Sequence, residues 1–248
     1  MTGKPLLARE MHEPHCTDCR LADLCLPMGL TNAEIERLDG FIKRGKSLAK
    51  GEVLFRQGQP GTSLYAVRSG ALKTFSLSEA GVEQVTGFHL PSEIVGLAVD
   101  SDERLPVSAV ALETTFLCEI PLDMLDNLSN DMAHLRKRML RLMSREIRDN
   151  QQMLLVLSKK NAEQRLATLL VNLSARHQAR GYSATAFRLV MSRHEIGNFL
   201  GLALETVSRV LNRFQQHGLI QIDNKDVRIL RAEEIYALAD GLTDHSSD

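Results

Sequence analysis

The turn-forming residues that punctuate the first half of this chain vanish between Met132 and Leu157, where strong helix formers take over. Leu140, Met143, Ile147, Asn150, Leu154 and Leu157 follow one another there at alternating three- and four-residue steps. That rhythm is a coiled-coil seam, so the chain is expected to hold one long helix that pairs with a second copy of itself. Its flanks are basic, with Arg136, Lys137, Arg138, Arg141, Arg145 and Arg148. The single asparagine sets the register of such a seam at some cost in stability, which suits a homodimer meant to be switched. An amphipathic helix covering its own domain is the competing reading of the same stripe.

On either side the pattern changes. Residues 28–132 carry short β-prone runs at Val53–Phe55, Leu64–Val67, Leu72–Phe75 and Thr114–Ile120, separated by glycine turns. Short strands at this spacing indicate an antiparallel jelly roll. A short helix, Asn32 to Phe41, precedes them, with Thr31 as its N-cap. Beyond the long helix, Ala162–Arg176 is helical by period, and Ser192 caps a short helix from Arg193 to Phe199. Gly201 sits in a turn, Leu204–Gln216 forms a further helix, and Gln221–Ile229 alternates like a hairpin. Helix, turn, helix, hairpin describes a winged helix-turn-helix. The fold class is therefore α+β, with four segments: a cysteine-rich leader (1–27), a β-roll (28–132), the dimerisation helix (133–158) and the winged domain (159–248).

The formal net charge of -1 hides a gradient. From Lys159 to Arg231, twelve Lys/Arg stand against five Asp/Glu. That excess matches what a double-stranded DNA backbone requires. In a helix-turn-helix the second helix enters the major groove, and residues of its first turns reach base edges. Here those are Glu205, Thr206, Ser208 and Arg209, flanked by Arg193 and Arg213. Arginine bonds guanine bidentately, glutamate accepts from the cytosine amine, and serine serves several bases. A surface ion pair between Glu205 and Arg209 is the plainer alternative.

All four cysteines, Cys16, Cys19, Cys25 and Cys118, fit one site. No apolar run reaches the length of a membrane span, and Met1–His15 lacks the apolar stretch of a secretory signal. A cytoplasmic chain is expected, where clustered thiols bind metal more often than they form disulfides. The Cys-x2-Cys-x5-Cys spacing fits neither a zinc ribbon nor the common ferredoxin runs, so spacing alone says only metal or redox site. Cys118 alternates with Phe116 and Ile120, where a lone cysteine is ordinarily a small buried hydrophobe. His15 is a further donor in principle, with a solvated histidine as the plainer reading.

Cys16-Thr-Asp-Cys19 with Cys25, Gly87-Phe-His-Leu90, Leu157-Ser-Lys-Lys-Asn161-Ala-Glu163 and Glu205-Thr-Val-Ser-Arg209 together resemble the FNR branch, the fumarate and nitrate reduction regulators, of the cyclic-AMP receptor protein/FNR family. The resemblance runs from Cys16 to the final helix. It implies an oxygen-responsive transcription factor that binds TTGAT-type inverted repeats, with Glu205, Ser208 and Arg209 at the base-contacting positions. It also implies a [4Fe–4S] cluster held by Cys16, Cys19, Cys25 and Cys118, and it likens the Ser78–Glu83 loop to a surface offered to RNA polymerase. Nucleotide-binding relatives use a Gly-Glu pair and an Arg-Ser/Thr pair, whereas this chain reads Glu93-Ile-Val-Gly96 and Arg104-Leu-Pro106, so no cyclic nucleotide is expected. No acid/base or nucleophile constellation suggests an enzyme.

Overall fold

A computed structural model describes residues 15–98 and 102–241. Most of the leader whose lack of a secretory signal was read from sequence, residues 1–14, lies outside the described residues, as does the tail from 242.

Helix α1 (Asn32–Asp39) opens with a capping box, in which Thr31 and Glu34 satisfy each other's backbone N–H groups. It stops two residues short of Phe41, because Phe41 and Ile42 turn the chain into β1 (Lys43–Leu48). Seven more strands follow: β2 (Val53–Phe55), β3 (Ser63–Ser69), β4 (Leu72–Leu77), β5 (Glu83–His89), β6 (Ile94–Val95), β7 (Ser108–Ala111) and β8 (Thr115–Pro121). They form two antiparallel sheets, ordered β1-β8-β3-β6 and β2-β7-β4-β5. Leu48, Phe55, Val67, Leu72, Ala109 and Leu117 from both sheets fill the space between them. Gly70 joins β3 to β4 at φ 83°, and a Cβ there would lie 2.5 Å from the Thr114 carbonyl, so only glycine closes this corner.

The outer face of the β1-β8-β3-β6 sheet is covered as well. Leu64, Ala66, Ile94 and Ile120 pack under Cys16, Leu26, Leu38 and Ile42. Leu125 and Leu128 of α2 (Leu122–Asp131) and Leu135 of α3 (Ala133–Lys159) complete this second core. The beginning of the long helix and the cysteine segment thus share one apolar cluster.

The winged domain comprises α4 (Ala162–Ala179), β9 (Ala186–Arg188), α5 (Arg193–Leu200), α6 (Leu204–Gln216), β10 (Ile220–Asp223), β11 (Asp226–Ile229) and α7 (Ala232–Asp240). Asn161 and Ser192 make capping boxes on α4 and α5. Gly197 lets α5 meet the α5–α6 turn, since a Cβ would stand 2.5 Å from the Leu202 carbonyl. Leu166, Leu170, Ile196, Val207 and Phe214 form the domain's core, which continues into Val85, Phe88 and Leu90 of the β-roll. The α+β architecture is that of a β-roll, a long helix and a winged helix-turn-helix. Among the described residues, no helix is long and apolar enough to cross a membrane.

Candidate metal centre and nucleic-acid interface

The cysteine segment is a chain of tight turns. Cys16–Asp18 forms one 3-10 turn, and further turns close from Ala22 N to Cys19 O at 3.0 Å and from Cys25 N to Leu21 O at 2.9 Å. Leu26 then anchors the segment in the apolar cluster with 1% exposure. Cys118 lies in β8 opposite Ala66, on the covered face of the sheet. Ile120 is buried on that face and Phe116 is exposed at its rim. All four thiols are free. Three of them, Cys16, Cys25 and Cys118, belong to the one apolar cluster, and Cys19 is near enough for its charge to act on both Cys25 and Cys118.

Polar groups hold the segment at both ends. Asp39, at the end of α1, accepts the Cys16 backbone N–H at 2.7 Å and pairs with Arg44 and His15. His15 pairs with this carboxylate while its side chain stays 58% exposed. At the other end, Arg138 of α3 donates to the Leu24 carbonyl at 3.0 Å and to the Cys25 carbonyl at 2.7 and 3.2 Å. Burial, reinforced by Asp39, pushes the Cys16 thiol up to about 12. Burial with the neighbouring Cys118 and Cys19 does the same to Cys25, at about 12. Burial raises Cys118 too, against the opposing pull of Arg44 and Arg68.

Does this donor set suit a metal? No three His, Cys, Asp or Glu among the described residues stand at the spacing of a single bound ion. A four-iron cluster takes one thiolate per iron, so its ligands stand further apart than the donors of one zinc. Four grouped thiols, one buried and three half-buried, with Arg44, Arg68 and Arg138 nearby, have the chemistry of such a site, because the arginines offset thiolate charge.

The long helix α3 shows two faces. Leu135, Met139 and Leu142 face the cysteine-bearing cluster. Leu140, Met143, Ile147 and Leu154 are exposed by 45–68%, and Asn150 is exposed between them. Leu157, the last of the seam residues, is half-buried, with Cδ2 beside Gly201, while Leu155 is exposed at 61%.

Helix α6 buries Val207, Val210, Leu211 and Phe214 and turns Glu205, Ser208, Arg209, Asn212, Arg213 and Gln216 into one open groove. Arg209 leans on Thr206 Oγ1 at 3.5 Å instead of pairing with Glu205. Arg213 is tied to Glu163 of α4. Arg193 is exposed in the first turn of α5.

Two family models cover this arrangement, "Cyclic nucleotide-binding domain" over residues 45–131 and "Crp-like helix-turn-helix domain" over 164–238. The chain is 62% identical to "Transcriptional activator protein anr" of Pseudomonas aeruginosa, over 96% of this chain and 98% of that protein. The chain belongs to the Crp/FNR family of transcription regulators. Another Crp/FNR relative, the "Fumarate and nitrate reduction regulatory protein" of Salmonella typhimurium, is 48% identical over 91% of this chain and 90% of its own. Among solved structures, FixK2 from Bradyrhizobium japonicum superimposes with a TM-score of 0.73 at 25% identity, covering 83% of this chain and all of that one.

As a Crp/FNR regulator the protein is not an enzyme, and the α5–α6 pair is its DNA-binding module. The basic excess of this module has more than one use. Arg176 near the end of α4 and Arg180 at its C-cap clasp Glu93 of the β-roll. Arg165 spends its guanidinium on the carbonyls of Leu157, Lys160 and Leu200. Exposed Arg188 on β9 and Arg228 on β11 are basic positions that the reading of α6 overlooked. The part that Asp39, Arg44 and Arg138 play at the cysteine segment has no sequence signal, and Arg138 stands out only as one basic flank of the long helix, because each acts from far away in the chain.

Proposed function

We propose that the protein is an oxygen-responsive transcriptional regulator of anaerobic metabolism. Cys16, Cys19, Cys25 and Cys118 would hold a [4Fe–4S] cluster, which when bound supplies an oxygen-labile link between the leader and the β-roll. The observation that carries this reading is the folding of the three-cysteine segment onto the sheet face that bears Cys118 and against α3. Asp39 fixes the first cysteine, Arg138 fixes the last, and the nearby arginines balance thiolate charge.

The exposed stripe Leu140, Met143, Ile147 and Leu154 supports a homodimer, because an apolar row of this length is stable only against a partner. Pairing two such helices sets two α6 helices for successive major grooves of a TTGAT-type inverted repeat, at which transcription is activated or repressed. Glu205, Ser208 and Arg209 read bases there, with Thr206, Arg193 and Arg213 beside them. The β4–β5 hairpin, with Val82 65% exposed near its tip, presents the surface for RNA polymerase.

Cyclic nucleotide is not the signal in this reading. Glu93 is occupied by Arg176 and Arg180, and Arg104 Nη1 donates to the Gly58 carbonyl at 2.7 Å. A cytoplasmic location fits free, reduced thiols.

The test is protein purified without oxygen. Broad visible absorbance, with iron and sulfide each near ~4 per chain, is expected. Air should bleach it and weaken binding to the inverted repeat. Colourless protein holding one zinc overturns the reading.

A further inference from the structure

We infer that Arg138 is the residue that couples the cysteine segment to subunit pairing. This rests on the cluster reading above and assigns its transmission to one side chain.

The segment from Cys16 to Leu26 is fastened at two points that belong to different elements. Its start is held inside the β-roll, with the Cys16 N–H on Asp39 and Asp39 on Arg44. Its end is held by α3 through Arg138, whose Nη2 donates to both the Leu24 and Cys25 carbonyls while Nε also reaches Cys25. The segment is a series of turns with no helix to occupy these carbonyls. Among the described residues the Cys25 carbonyl otherwise receives only Met28 N at 3.2 Å, and residue 27 is a proline with no N–H to give. A guanidinium fork spans two adjacent carbonyls, whereas an ammonium acts as a single point charge.

Arg138 also occupies a strategic place on its helix. It lies between Leu135 and Met139 and Leu142, the face of α3 packed on the cysteine-bearing cluster. The exposed stripe begins at Leu140, two residues away, and runs on to Leu154. A 27-residue helix is rigid over this distance, so a shift of its first turns moves the whole seam. When the cysteines hold their cluster, the Leu24 and Cys25 carbonyls are fixed in space and Arg138 is fixed with them. When the segment is released, the fork loses its acceptors and a half-buried cation is left without partners, which favours displacement of the α3 N-terminal turns.

The experiment measures dimer dissociation constants by anaerobic sedimentation for loaded protein and for the same preparation after air bleaching, with iron and sulfide assayed on each sample. Wild-type protein should pair at least about tenfold more tightly when loaded. Arg138→Gln should take up the same iron and sulfide yet show loaded and unloaded constants within about threefold. Arg138→Lys should fall between, and it carries the test if the glutamine variant does not fold. Met139→Ala, which trims apolar contact on the same face, should weaken both states equally and keep the wild-type ratio. The inference is overturned if Arg138→Gln retains that ratio, or if Met139→Ala abolishes it to the same degree. It is also overturned if Arg138→Gln fails to load iron while its unloaded form pairs as wild type does, since Arg138 would then serve ligation alone. Wild-type protein that never holds iron would instead defeat the cluster reading itself.

Discussion

Asp39 gathers three donors, the Cys16 N–H, Arg44 and His15, into one carboxylate at the edge of the thiol cluster. Burial would raise this carboxyl, but its hydrogen bonds to His15 and the Cys16 backbone hold it below the usual range. Asp39→Ala strands an N–H and a guanidinium that are both mostly buried, and should destabilise the cluster-free protein by about 2–3 kcal/mol in urea unfolding. It should also loosen iron at least tenfold in anaerobic chelator competition, the scale typical of groups that orient metal ligands, while Asp39→Asn keeps an acceptor and loses less. On α6, Arg209→Ala should cost about 1–3 kcal/mol at the specific site and relax preference at one base pair. Arg193→Ala should weaken all sequences alike and lower the salt slope by ~1. Residues of this kind differ sharply in how visible they are in a sequence. The four cysteines announce themselves by number and the α6 residues by position in a motif. Asp39, Arg44 and Arg138 do not, because Cys16 lies 23 residues from Asp39 and 28 from Arg44, whose Nη2 stands 3.7 Å from its Sγ, and Cys25 lies 113 from Arg138.

Elements with a local signature could be read from the chain, and those made by tertiary contact could not. Thr31 and Ser192 each announce a helix start, which the structure closes with a capping box, and the spans of α4 and α6 follow from their apolar periods. The strand β1 was not apparent, since Lys-Arg-Gly-Lys-Ser-Leu looks like a solvated loop until β8 pairs with it. Helix α2 was hidden by its start directly after the last strand residue, Pro121, without a side-chain cap. For α3 the three–four repeat announced the helix, but not that its first turns face inward while the exposed row begins at Leu140. That division makes a sharp prediction. Ile147→Asp places a charge in the exposed row and should give monomers by sedimentation, with the circular dichroism of the folded chain and its iron uptake unchanged. Asn150→Ile removes the polar interruption and should let pairing persist after air exposure. A monomeric wild type under both conditions would remove the basis for the two expectations.

At the scale of the whole molecule, the β-roll and the winged domain are joined along β5, and this joint is expected to contribute to acid sensitivity. Asn198 of α5 accepts from Val85 N–H at 2.5 Å and donates to the Glu83 carbonyl at 2.8 Å, while Phe88 meets Phe199 edge-on at 5.1 Å. Beside them Glu93 is clasped by Arg176 of α4 and by Arg180 at its C-cap. Burial alone would raise the Glu93 carboxyl, but the two arginines hold it down at about 2. Burial lowers the nearby His89 to about 4, against the pull of Glu93. Both shifts have the same sign for stability. His89 is kept neutral in the folded state, so its contribution is full above about 6.5 and is lost as pH falls to about 4. Glu93 is kept ionised, so its contribution is full above about 4.5 and is lost as pH falls to about 2. Stability measured by urea unfolding should therefore decline in two overlapping stages below neutrality, and the Glu93 stage should amount to roughly 3 kcal/mol. Glu93→Gln leaves two poorly exposed arginines facing a neutral amide, so it should lose about 3 kcal/mol at pH 7 and show a shallower decline between pH 4.5 and 2, the remainder coming from carboxylates such as Asp39 that are also held low. His89→Gln should abolish the upper stage only. If Glu93→Gln instead keeps the full acid slope, the joint is held by the Asn198 hydrogen bonds and its apolar contacts, and the arginine pair plays no part in fixing the winged domain on the β-roll.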